Sequence, residues 1–485
     1  MEVSHDLLVI GGGINGAGIA RDAAGRGLSV VLVERDDLGA ATSSASSKLI
    51  HGGLRYLEHY EFRMVAEALA EREIVLRIAG HLAWPMRFVM PHVPELRPRW
   101  MIRIGLFLYD HLSRRSLLPG TRSVRLDQPP YDAGLRRDLK YGFVYSDCRV
   151  DDARLVLANA ADAAGRGARI LVGVGCTRAR REQGVWRAEL SNGETVQARA
   201  VVNAAGPWVK QVLNDKLGEA TRDAVRLVKG SHIVLPRLYA GEHAFILQND
   251  DRRVVFMIPF EERFTLVGTT DVDYEGDAAT PAASDEEVEY LCRAAGRYLA
   301  RPPQPAEVVW RYAGVRPLYD DGSHDPSAIT RDYTLRVDDV EGAAPVLSVF
   351  GGKLTTYRTL AEHALEKLAP YFPGMRPAWT ARGPLPGSDF SDREAAKADF
   401  FKRYPQLPPA LLQAVFRRHG TLAHEVLGDG RLGEDYGAGL TEREVRYLME
   451  REWAHSADAV LWRRTKCGLH MTAAQRRRVA EVVGR

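Results

Sequence analysis

The N-terminal part of the chain reads His5-Asp-Leu-Leu-Val-Ile-Gly-Gly-Gly-Ile-Asn-Gly-Ala-Gly-Ile-Ala-Arg-Asp22, and Leu28-Ser-Val-Val-Leu-Val-Glu34 follows it. The apolar run Leu7–Ile10 predicts a buried strand, the alanine-rich run after it predicts a helix, and the second apolar run predicts another strand. Between the first strand and the helix lie three glycines in a G-x-G-x-x-G spacing, Gly11, Gly13 and Gly16. A glycine pattern in this strand–turn–helix–strand context predicts a dinucleotide-binding α/β unit.

Each of the three glycines in this turn has a separate physical role. Gly11 permits the tight turn, Gly13 lets the backbone approach a pyrophosphate, and Gly16 lets the helix pack closely on the strand. The helix N-terminus offers free N–H groups and the positive end of its dipole to the phosphates. Glu34 lies where a carboxylate accepts a hydrogen bond from a ribose hydroxyl and repels a 2′-phosphate. We therefore expect FAD or NAD, and not NADP, as the ligand.

Composition sets the broad class of the protein. A chain of 485 residues with 45% hydrophobic and 27% charged residues is typical of a soluble protein with two or three domains. The net charge of +3 is too small to indicate a nucleic-acid partner. The four cysteines form no C-x-x-C pair, which favours a reducing compartment and argues against a disulfide framework or a metal site.

The first residues and the apolar runs of the chain indicate where the protein is located. The first residues have neither a basic segment nor an apolar segment of the secretory type. No apolar run approaches the roughly 18 residues that a transmembrane helix needs. We expect a cytoplasmic protein, or one bound to the membrane from the cytoplasmic side.

A hydroxyl-rich segment follows the second strand. Gly39-Ala-Ala-Thr-Ser-Ser-Ala-Ser-Ser-Lys48 is either a solvated loop or a second support for the nucleotide. It continues into Lys48-Leu-Ile-His-Gly-Gly-Leu-Arg-Tyr-Leu57, which mixes glycine with cationic and aromatic side chains. Loops of this mixture carry function more often than packing, and we favour a functional role.

The segment Arg97–Arg125 has an unusual pattern. It contains the apolar and aromatic run Trp100-Met-Ile-Arg-Ile-Gly-Leu-Phe-Leu-Tyr109 with arginines on both sides. One interpretation is a helix that lies in a membrane interface, where each arginine near anionic lipid gains about 1 kcal/mol. The alternative is a core helix with solvated ends, and the pattern alone does not choose between them.

The remaining segments predict the outline of the rest of the fold. Phe62–Ile78 has helical spacing, and the strand in Ala198–Gly206 ends in a close backbone approach. Alternation in Leu227–Pro259 and Phe264–Asp273 predicts an antiparallel sheet. Val346–Phe350 predicts a strand, and we expect Gly351-Gly-Lys-Leu-Thr-Thr-Tyr-Arg358 to open a helix that points N–H groups and Lys353 at an electron-rich group. Beyond a predicted linker, Pro370–Pro386, the C-terminal part reads as helical, most clearly in Glu442–Met449 and Trp453–Arg464.

Three separated segments resemble one family. The runs Ser43–Leu57, Phe350–Arg358 and Trp453–Leu469 are similar to signatures of the FAD-dependent glycerol-3-phosphate dehydrogenases. The opening resembles the FAD-binding fold of the glutathione-reductase and D-amino-acid-oxidase type. The similarity extends from near residue 1 to about residue 475.

The resemblance implies an α/β fold with three domains. The first is a Rossmann-like FAD-binding domain made of residues 1–80, 145–225 and 330–375. The second is an antiparallel-sheet domain that binds substrate and faces the membrane, made of residues 81–144 and 226–329. The third is a helical C-terminal domain, residues 387–485.

The resemblance also implies an activity. Members oxidise sn-glycerol 3-phosphate to dihydroxyacetone phosphate and pass the electrons through FAD to a membrane quinone. They are peripheral, homodimeric proteins on the cytoplasmic side of the inner membrane, which favours the interfacial interpretation of Arg97–Arg125. Three alternatives stay open: an oxidase that uses dioxygen, of which the expected extra insertion is not visible, an amino-acid or amine oxidase on the same fold, and a non-catalytic flavoprotein.

The resemblance assigns site residues by position in the matching motifs. FAD is expected to contact Gly11, Gly13, Gly16, Glu34, Thr42, Ser43, Ser47, Lys48, Leu49, Gly206, Gly352, Lys353 and Leu354. The substrate is expected to contact Arg55, Tyr56, Thr269, Thr270, Arg316 and Arg331, because arginine binds phosphate oxygens in a bidentate way. The predicted catalytic groups are His232 as proton acceptor, Arg316 on the phosphate, and Lys353, which stabilises negative charge on the flavin.

Overall fold

The computed structural model describes residues 4–93, 98–113, 117–221, 223–251, 253–320 and 332–484. The strands in these ranges are β1 Ser4–Ile10, β2 Val30–Glu34, β3 Leu49–Ile50, β4 Ala83–Pro91, β5 Arg122–Arg125, β6 Tyr141–Val150, β7 Arg169–Val172, β8 Cys176–Glu182, β9 Val185–Leu190, β10 Thr195–Asn203, β11 Ala224–Pro236, β12 Ala244–Gln248, β13 Val254–Phe260, β14 Phe264–Gly268, β15 Val272–Asp273, β16 Trp310–Asp320, β17 Thr334–Asp338, β18 Val346–Phe350, β19 Asp435–Gly437 and β20 Leu440–Thr441. The α-helices are α1 Ile14–Gly25, α2 Phe62–Ile78, α3 Arg99–His111, α4 Asp152–Gly165, α5 Val209–Gln211, α6 Asp285–Gly296, α7 Tyr357–Leu368, α8 Arg393–Arg403, α9 Pro409–His419, α10 Ala423–Leu427, α11 Glu442–Arg451 and α12 Ala473–Val483.

The first sheet is built around β1. Within the described ranges it has eight strands, with the order β17-β18-β10-β1-β2-β7 and the hairpin β8–β9 attached to β10. The pairs β1–β2, β1–β10, β10–β18 and β2–β7 are parallel. Because both faces of the parallel strands are covered, Leu7–Val9 and Val30–Val33 are almost completely buried. This is the predicted Rossmann-like α/β unit, and the prediction is confirmed.

Helix α1 packs against α4 and α7 on one face of this sheet. Its small residues allow the close approach. A Cβ at Gly18 would lie only 2.9 Å from Cδ2 of Tyr357 on α7. The alanine-rich composition of α1 is therefore a packing requirement as well as a helix-forming one.

The second sheet contains the long strand β11, which pairs with β14, β15 and β16. Ten strands take part among the described residues, in the order β15-β11-β14-β13-β12-β4-β6-β3, with β16 paired to β11 and β5 paired to β6. Most of these pairs are antiparallel, as the alternation predicted, and β12–β4 is a parallel pair. The long pair β11–β16 carries functional side chains into the space between the sheets.

Two local predictions are corrected by the structure. The segment from Gly351 does not open a helix at once, because α7 begins at Tyr357 and the preceding residues form a loop. The predicted helix Trp453–Arg464 is shorter, since the structure has a π-helix at Ala459–Arg464. Trp453 adopts a positive φ of 52°, and the Ser456 hydroxyl accepts a hydrogen bond from the Ala459 N–H, so the helix cannot extend back to residue 453.

Buried ion pairs join the C-terminal helices to one another and to α4. Arg418 donates two hydrogen bonds to the Glu444 carboxylate, and His419 Nε2 lies 2.9 Å from the same group. Arg154 of α4 donates to both carboxylate oxygens of Glu452 at 2.7 and 3.0 Å. Burial would raise the pKa of the Glu444 carboxyl, but Arg418 and His419 outweigh burial and hold that pKa at about 2.

These ion pairs predict an acid-sensitive C-terminal domain. Because the pKa of Glu444 is lower in the folded chain than in the unfolded chain, its stabilising contribution is complete above about pH 4.5. That contribution is lost as the pH falls toward 2. Glu444→Gln leaves the buried Arg418 guanidinium without its anionic partner, and we expect a loss of about 3–5 kcal/mol in unfolding free energy near neutral pH.

Urea unfolding followed across a pH series measures both effects. The acid-dependent loss should be smaller in Glu444→Gln than in the wild-type chain. The matched control is Glu289→Gln, which removes an exposed carboxylate paired with Arg293 and should change stability by less than about 0.5 kcal/mol. An identical acid dependence in the wild type and Glu444→Gln would contradict this account of the network.

Candidate active site

A cavity of about 500 Å³ lies where the two sheets meet. One end is lined by the glycine-rich turn after β1, the end of β2 and the loop after β10. The other end is lined by side chains of β11 and β16 and by the loop before α7. A long cavity of this shape at the carboxyl ends of parallel strands is the usual place for a nucleotide ligand.

The glycine-rich turn is packed so closely that side chains cannot be added at two positions. Gly11 has a φ of +110°, and a Cβ there would lie 2.6 Å from the Ala204 carbonyl oxygen. A Cβ at Gly16 would lie 1.9 Å from the Gly11 carbonyl oxygen. Gly13 differs, since an added Cβ would meet only Ser43 Oγ, at 3.2 Å, and would project into the cavity. The turn thus leaves a bare backbone surface of the kind that a pyrophosphate requires.

Glu34 is held at the end of β2 with its carboxylate on the cavity wall. One oxygen accepts the Gly12 N–H at 2.7 Å and the other accepts the Asp36 N–H at 2.9 Å. Burial raises the pKa of this carboxyl, and the two N–H donors oppose that rise. The carboxylate is therefore held in place at the cavity wall. Gly206, in the loop after β10, lines the same cavity.

The hydroxyl-rich loop after β2 lines the middle of the cavity. Thr42 Oγ1 donates to the Val315 carbonyl at 2.6 Å, and Ser43 Oγ accepts the Ile14 N–H at 3.0 Å. Ser47 and Leu49 also line the cavity. Lys48 does not, because its ammonium turns inward and donates to both oxygens of Asp152 at 2.8 and 2.9 Å. Its role in the structure is to anchor the loop to α4.

His232 projects from β11 into the polar end of the cavity. Its ring stacks on Tyr312 of β16, with centroids 4.9 Å apart, and its Nε2 lies 2.9 Å from Ser47 Oγ. Nδ1 is buried and has no hydrogen-bond partner within the described part of the chain. Burial, with smaller contributions from Lys48 and Arg316, lowers the pKa of His232 to about 3. The imidazole is therefore neutral near physiological pH, and one of its ring nitrogens carries a free lone pair.

Arg316 reaches the same end of the cavity from β16. Its Nη2 donates to Asp271 Oδ1 at 3.1 Å and to the Thr270 carbonyl at 3.3 Å. A Cβ at Gly230 would lie 2.6 Å from Thr269 Oγ1 and 3.3 Å from Arg316 Nη2, so the glycine gives these two groups their space. Thr269 lines the cavity, whereas Thr270 is buried behind it and donates to Glu287 at 2.8 Å.

Lys353 lies in the loop before α7, beside Tyr56. Its ammonium is 4.4 Å from the centre of the Tyr56 ring and 2.7 Å from Met64 Sδ. Gly352 and Leu354 flank it on the cavity wall. Arg55 is partly buried in the 3-10 helix Leu54–His59 and is not among the described residues that line the cavity. Arg331 lies outside the described residues.

The structure adds residues that the sequence interpretation did not assign. His51 lines the cavity, and its Nδ1 accepts the Gly53 N–H at 3.1 Å, so a neutral ring carries its proton on Nε2. Asn15, in the first turn of α1, connects this helix to the loop before α7, because its Nδ2 donates to the Gly351 carbonyl at 3.1 Å. His51 belongs to the segment Lys48–Leu57, whose mixture of glycine with polar side chains already indicated function, so the sequence could have assigned His51 to the site. The Asn15 contact spans the whole domain, so local spacing could not indicate it.

The residues present fit FAD. The buried Oδ1 of Asn15 has no partner among the described residues, and a ligand in this cavity would supply one. The bare Gly13 backbone suits a pyrophosphate, and the fixed Glu34 carboxylate suits a ribose. At the far end, a neutral histidine and an arginine suit an anionic substrate, and a lysine suits the negative charge of a reduced flavin. The fold and this cavity together define a flavin-dependent oxidoreductase.

Comparison with known proteins agrees with this class. The sequence model of the FAD dependent oxidoreductase family matches residues 6–358, and that of the C-terminal domain of alpha-glycerophosphate oxidase matches residues 378–485. The chain is 52% identical to the aerobic glycerol-3-phosphate dehydrogenase of Escherichia coli, over 99% of this chain and 97% of that protein. It is 49% identical to the D-erythritol 1-phosphate dehydrogenase of Brucella abortus, over 97% of this chain and 96% of that protein.

A solved structure gives the same result. The glycerol-3-phosphate dehydrogenase of Bacillus halodurans, crystallised with FAD, superposes with a TM-score of 0.74 at 26% identity. The match covers 99% of this chain and 94% of that chain. The protein belongs to the family of FAD-dependent glycerol-3-phosphate dehydrogenases, and its cofactor is FAD.

The different environments of the glycines predict different effects of substitution. Gly13→Val should leave the chain folded but weaken FAD binding at least about 100-fold, because the side chain occupies the pyrophosphate space. Gly16→Ala should instead destabilise the fold, because its Cβ overlaps the Gly11 carbonyl.

Circular dichroism and titration of the apoprotein with FAD separate these outcomes. Gly165→Ala is the matched control, because a Cβ at Gly165 has no atom within 4 Å outside its immediate chain surroundings, and FAD affinity should not change. A Gly13→Val protein that retains FAD through purification would show that the pyrophosphate lies elsewhere.

Proposed function

We propose that this protein oxidises sn-glycerol 3-phosphate to dihydroxyacetone phosphate, and that the electrons pass from its FAD to a membrane quinone. The observation that carries the substrate assignment is that Arg316, which suits a phosphate, and the neutral His232 line the same cavity. The names of the relatives support the same substrate class. Residues of the first sheet would hold the cofactor, and those of the second sheet would hold the substrate.

The chemistry divides between the cofactor and this chain. Bound FAD would supply the acceptor for the hydride of the alcohol carbon C2. The proton on the C2 hydroxyl oxygen must also be removed, since the product is a neutral ketone. His232, which lines the cavity beside Ser47, is the side chain that would accept that proton.

Two cations support the reaction from different sides. Arg316 would bind the substrate phosphate, since the Asp271 contact fixes its guanidinium while 39% of the side chain stays exposed. Arg331, which lies outside the described residues, would be the second phosphate ligand. Lys353 would stabilise negative charge on the reduced cofactor. Tyr56, in contact with Lys353, and Thr269 would bound the substrate space.

Anaerobic addition of substrate to the holoprotein tests this proposal. We expect sn-glycerol 3-phosphate to bleach the flavin absorbance, with D-erythritol 1-phosphate and glycine as comparison compounds. Preferential bleaching by the erythritol ester would assign the chain to a longer polyol phosphate. Bleaching by glycine alone, or by none of the three, would contradict the proposal.

The same reaction in variants assigns the residues. Arg316→Ala should raise KM about tenfold to hundredfold, because a charged hydrogen bond to the phosphate is lost from ground and transition states alike. His232→Ala should lower kcat by roughly 10²–10⁴, with a smaller change in KM. Arg311→Ala is the matched control, since Arg311 lies on the same strand but pairs with Asp285 at the surface. If His51→Ala shows the kcat loss and His232→Ala does not, His51 is the proton acceptor.

We also propose that α3 attaches the protein to a membrane. The helix buries Ile102, Leu106 and Tyr109. Its opposite side exposes large apolar side chains, Trp100, Met101, Ile104, Phe107 and Leu108. Arg99 and Arg103 are exposed on the same helix and suit anionic headgroups. Arg97, Arg114 and Arg115 of the predicted pattern lie outside the described residues.

In this proposal the protein is peripheral and lies on the cytoplasmic side of the inner membrane, where the quinone is found. Among the described residues, no helix has the length and apolar character needed to cross a bilayer. The apolar face of α3 has the size and chemistry of an interfacial helix instead. The homodimer that the family resemblance implies completes the proposal, and size-exclusion chromatography in detergent tests it.

Liposome flotation tests the role of α3. Because burying one large apolar side chain contributes about 1.5–3 kcal/mol, Phe107→Glu should weaken binding to anionic vesicles at least about tenfold. Val309→Glu is the matched control, since Val309 is exposed but lies outside α3. High salt should weaken binding without abolishing it, because screening affects the charge contribution alone. Equal flotation of both variants and the wild type would contradict the proposal.

A further inference from the structure

Asp37 lines the cavity three residues beyond Glu34, in the loop that follows β2. This loop is tied to the glycine-rich turn, because the Gly39 N–H donates to the Gly12 carbonyl at 3.0 Å. The Asp37 carbonyl accepts the Ala40 N–H, also at 3.0 Å. The position of Asp37 is therefore coupled to the wall that receives the adenosine end of the cofactor.

Two consecutive arginines of the C-terminal domain hold the Asp37 carboxylate. Arg463 Nε donates to Oδ2 at 2.5 Å, and Arg464 Nη2 donates to Oδ1 at 2.8 Å. A further bond joins Arg464 Nη1 to Oδ2. Some 426 positions of sequence separate these arginines from the loop.

The Arg464 side chain is completely buried and is fixed within its own domain. Its Nη2 also donates to the Glu452 carbonyl at 2.6 Å and to the Trp453 carbonyl at 3.3 Å. The guanidinium thus joins the π-helix Ala459–Arg464 and the end of α11 to the cavity loop. An exposed surface pair would not impose this geometry, because it would be screened and mobile.

The charge at this wall makes the contact important for an anionic ligand. Three carboxylates lie within four consecutive residues, those of Glu34, Asp36 and Asp37. All three residues line the cavity that must take a pyrophosphate. Glu34 receives two N–H donors, and Asp36 pairs with Arg35 at 3.1 Å. Without Arg463 and Arg464, the Asp37 charge would be left uncompensated at the partly buried wall, where repulsion is strong.

We propose that the C-terminal helical domain is part of the FAD site, with Arg464 as a positioning residue that holds Asp37 and the loop after β2 in their cofactor-binding arrangement. A second contact acts in the same direction. Lys466 donates to Asp151 at 2.8 Å, and Asp151 caps α4, which packs on α1. FAD binding and docking of the C-terminal domain therefore strengthen each other, since coupling between two binding events is reciprocal.

Titration of full-length apoprotein with FAD tests the forward direction. Arg464→Met should raise the FAD dissociation constant about tenfold to hundredfold, which corresponds to a coupling of about 1.4–2.8 kcal/mol. Asp37→Asn added to Arg464→Met should recover part of the lost affinity, because it removes a carboxylate that Arg463 alone would then hold. Arg446→Met is the matched control, since Arg446 is an exposed arginine of the same domain paired with Glu442, and its FAD affinity should equal that of the wild type.

Hydrogen exchange in the wild-type chain tests the reverse direction and does not depend on whether a variant folds. FAD addition should slow amide exchange in residues 459–466 as well as in the glycine-rich turn. In Arg464→Lys, which keeps a single charge but loses the fork, this protection should be reduced. Unchanged exchange in residues 459–466 on FAD addition, or an Arg464→Met protein with wild-type FAD affinity, would overturn the proposal.

Discussion

The structure depends on a backbone contact in which Gly16 of α1 lies against the carbonyl of Gly11, and Gly11 lies against Ala204 of the neighbouring loop. This contact brings the helix N-terminus directly over the end of β1 and leaves Gly13 facing the cavity. Side chains at Gly11 or Gly16 would separate the helix from the sheet. The cavity wall, the position of Glu34 and the approach of the loop after β10 all follow from this one packing constraint.

The two ends of the cavity have different electrostatic tasks. At the nucleotide end, two N–H donors hold the Glu34 carboxylate at the cavity wall, and a carboxylate in this place would repel a 2′-phosphate. At the far end, burial keeps His232 neutral, while Arg316 and Lys353 supply positive charge. The second sheet brings these groups together, because β11 and β16 pair along their whole length and place His232 and Arg316 near the loop before α7. In the proposed function, the division into two sheets is therefore also a division between cofactor and substrate chemistry.

Much of this arrangement could be predicted where the signal is local. The helix Phe62–Ile78 and the strand Val346–Phe350 have the predicted bounds, since periodicity and flanking residues determine both. The inward turn of Lys48 could not be predicted, because its partner Asp152 is remote in sequence. The pairing of Arg464 with Asp37 joins opposite ends of the chain for the same reason. His51 was overlooked within a recognised motif, because spacing does not show which of several polar residues faces a cavity.

The central claim is that one cavity places the carbinol end of a phosphorylated polyol between His232 and the cofactor. A crystal structure of the reduced holoprotein with sn-glycerol 3-phosphate measures this directly. The account predicts the phosphate on Arg316 and the C2 hydroxyl within hydrogen-bond distance of a His232 ring nitrogen. A phosphate bound away from Arg316, or a C2 hydroxyl that contacts His51 and not His232, would contradict it.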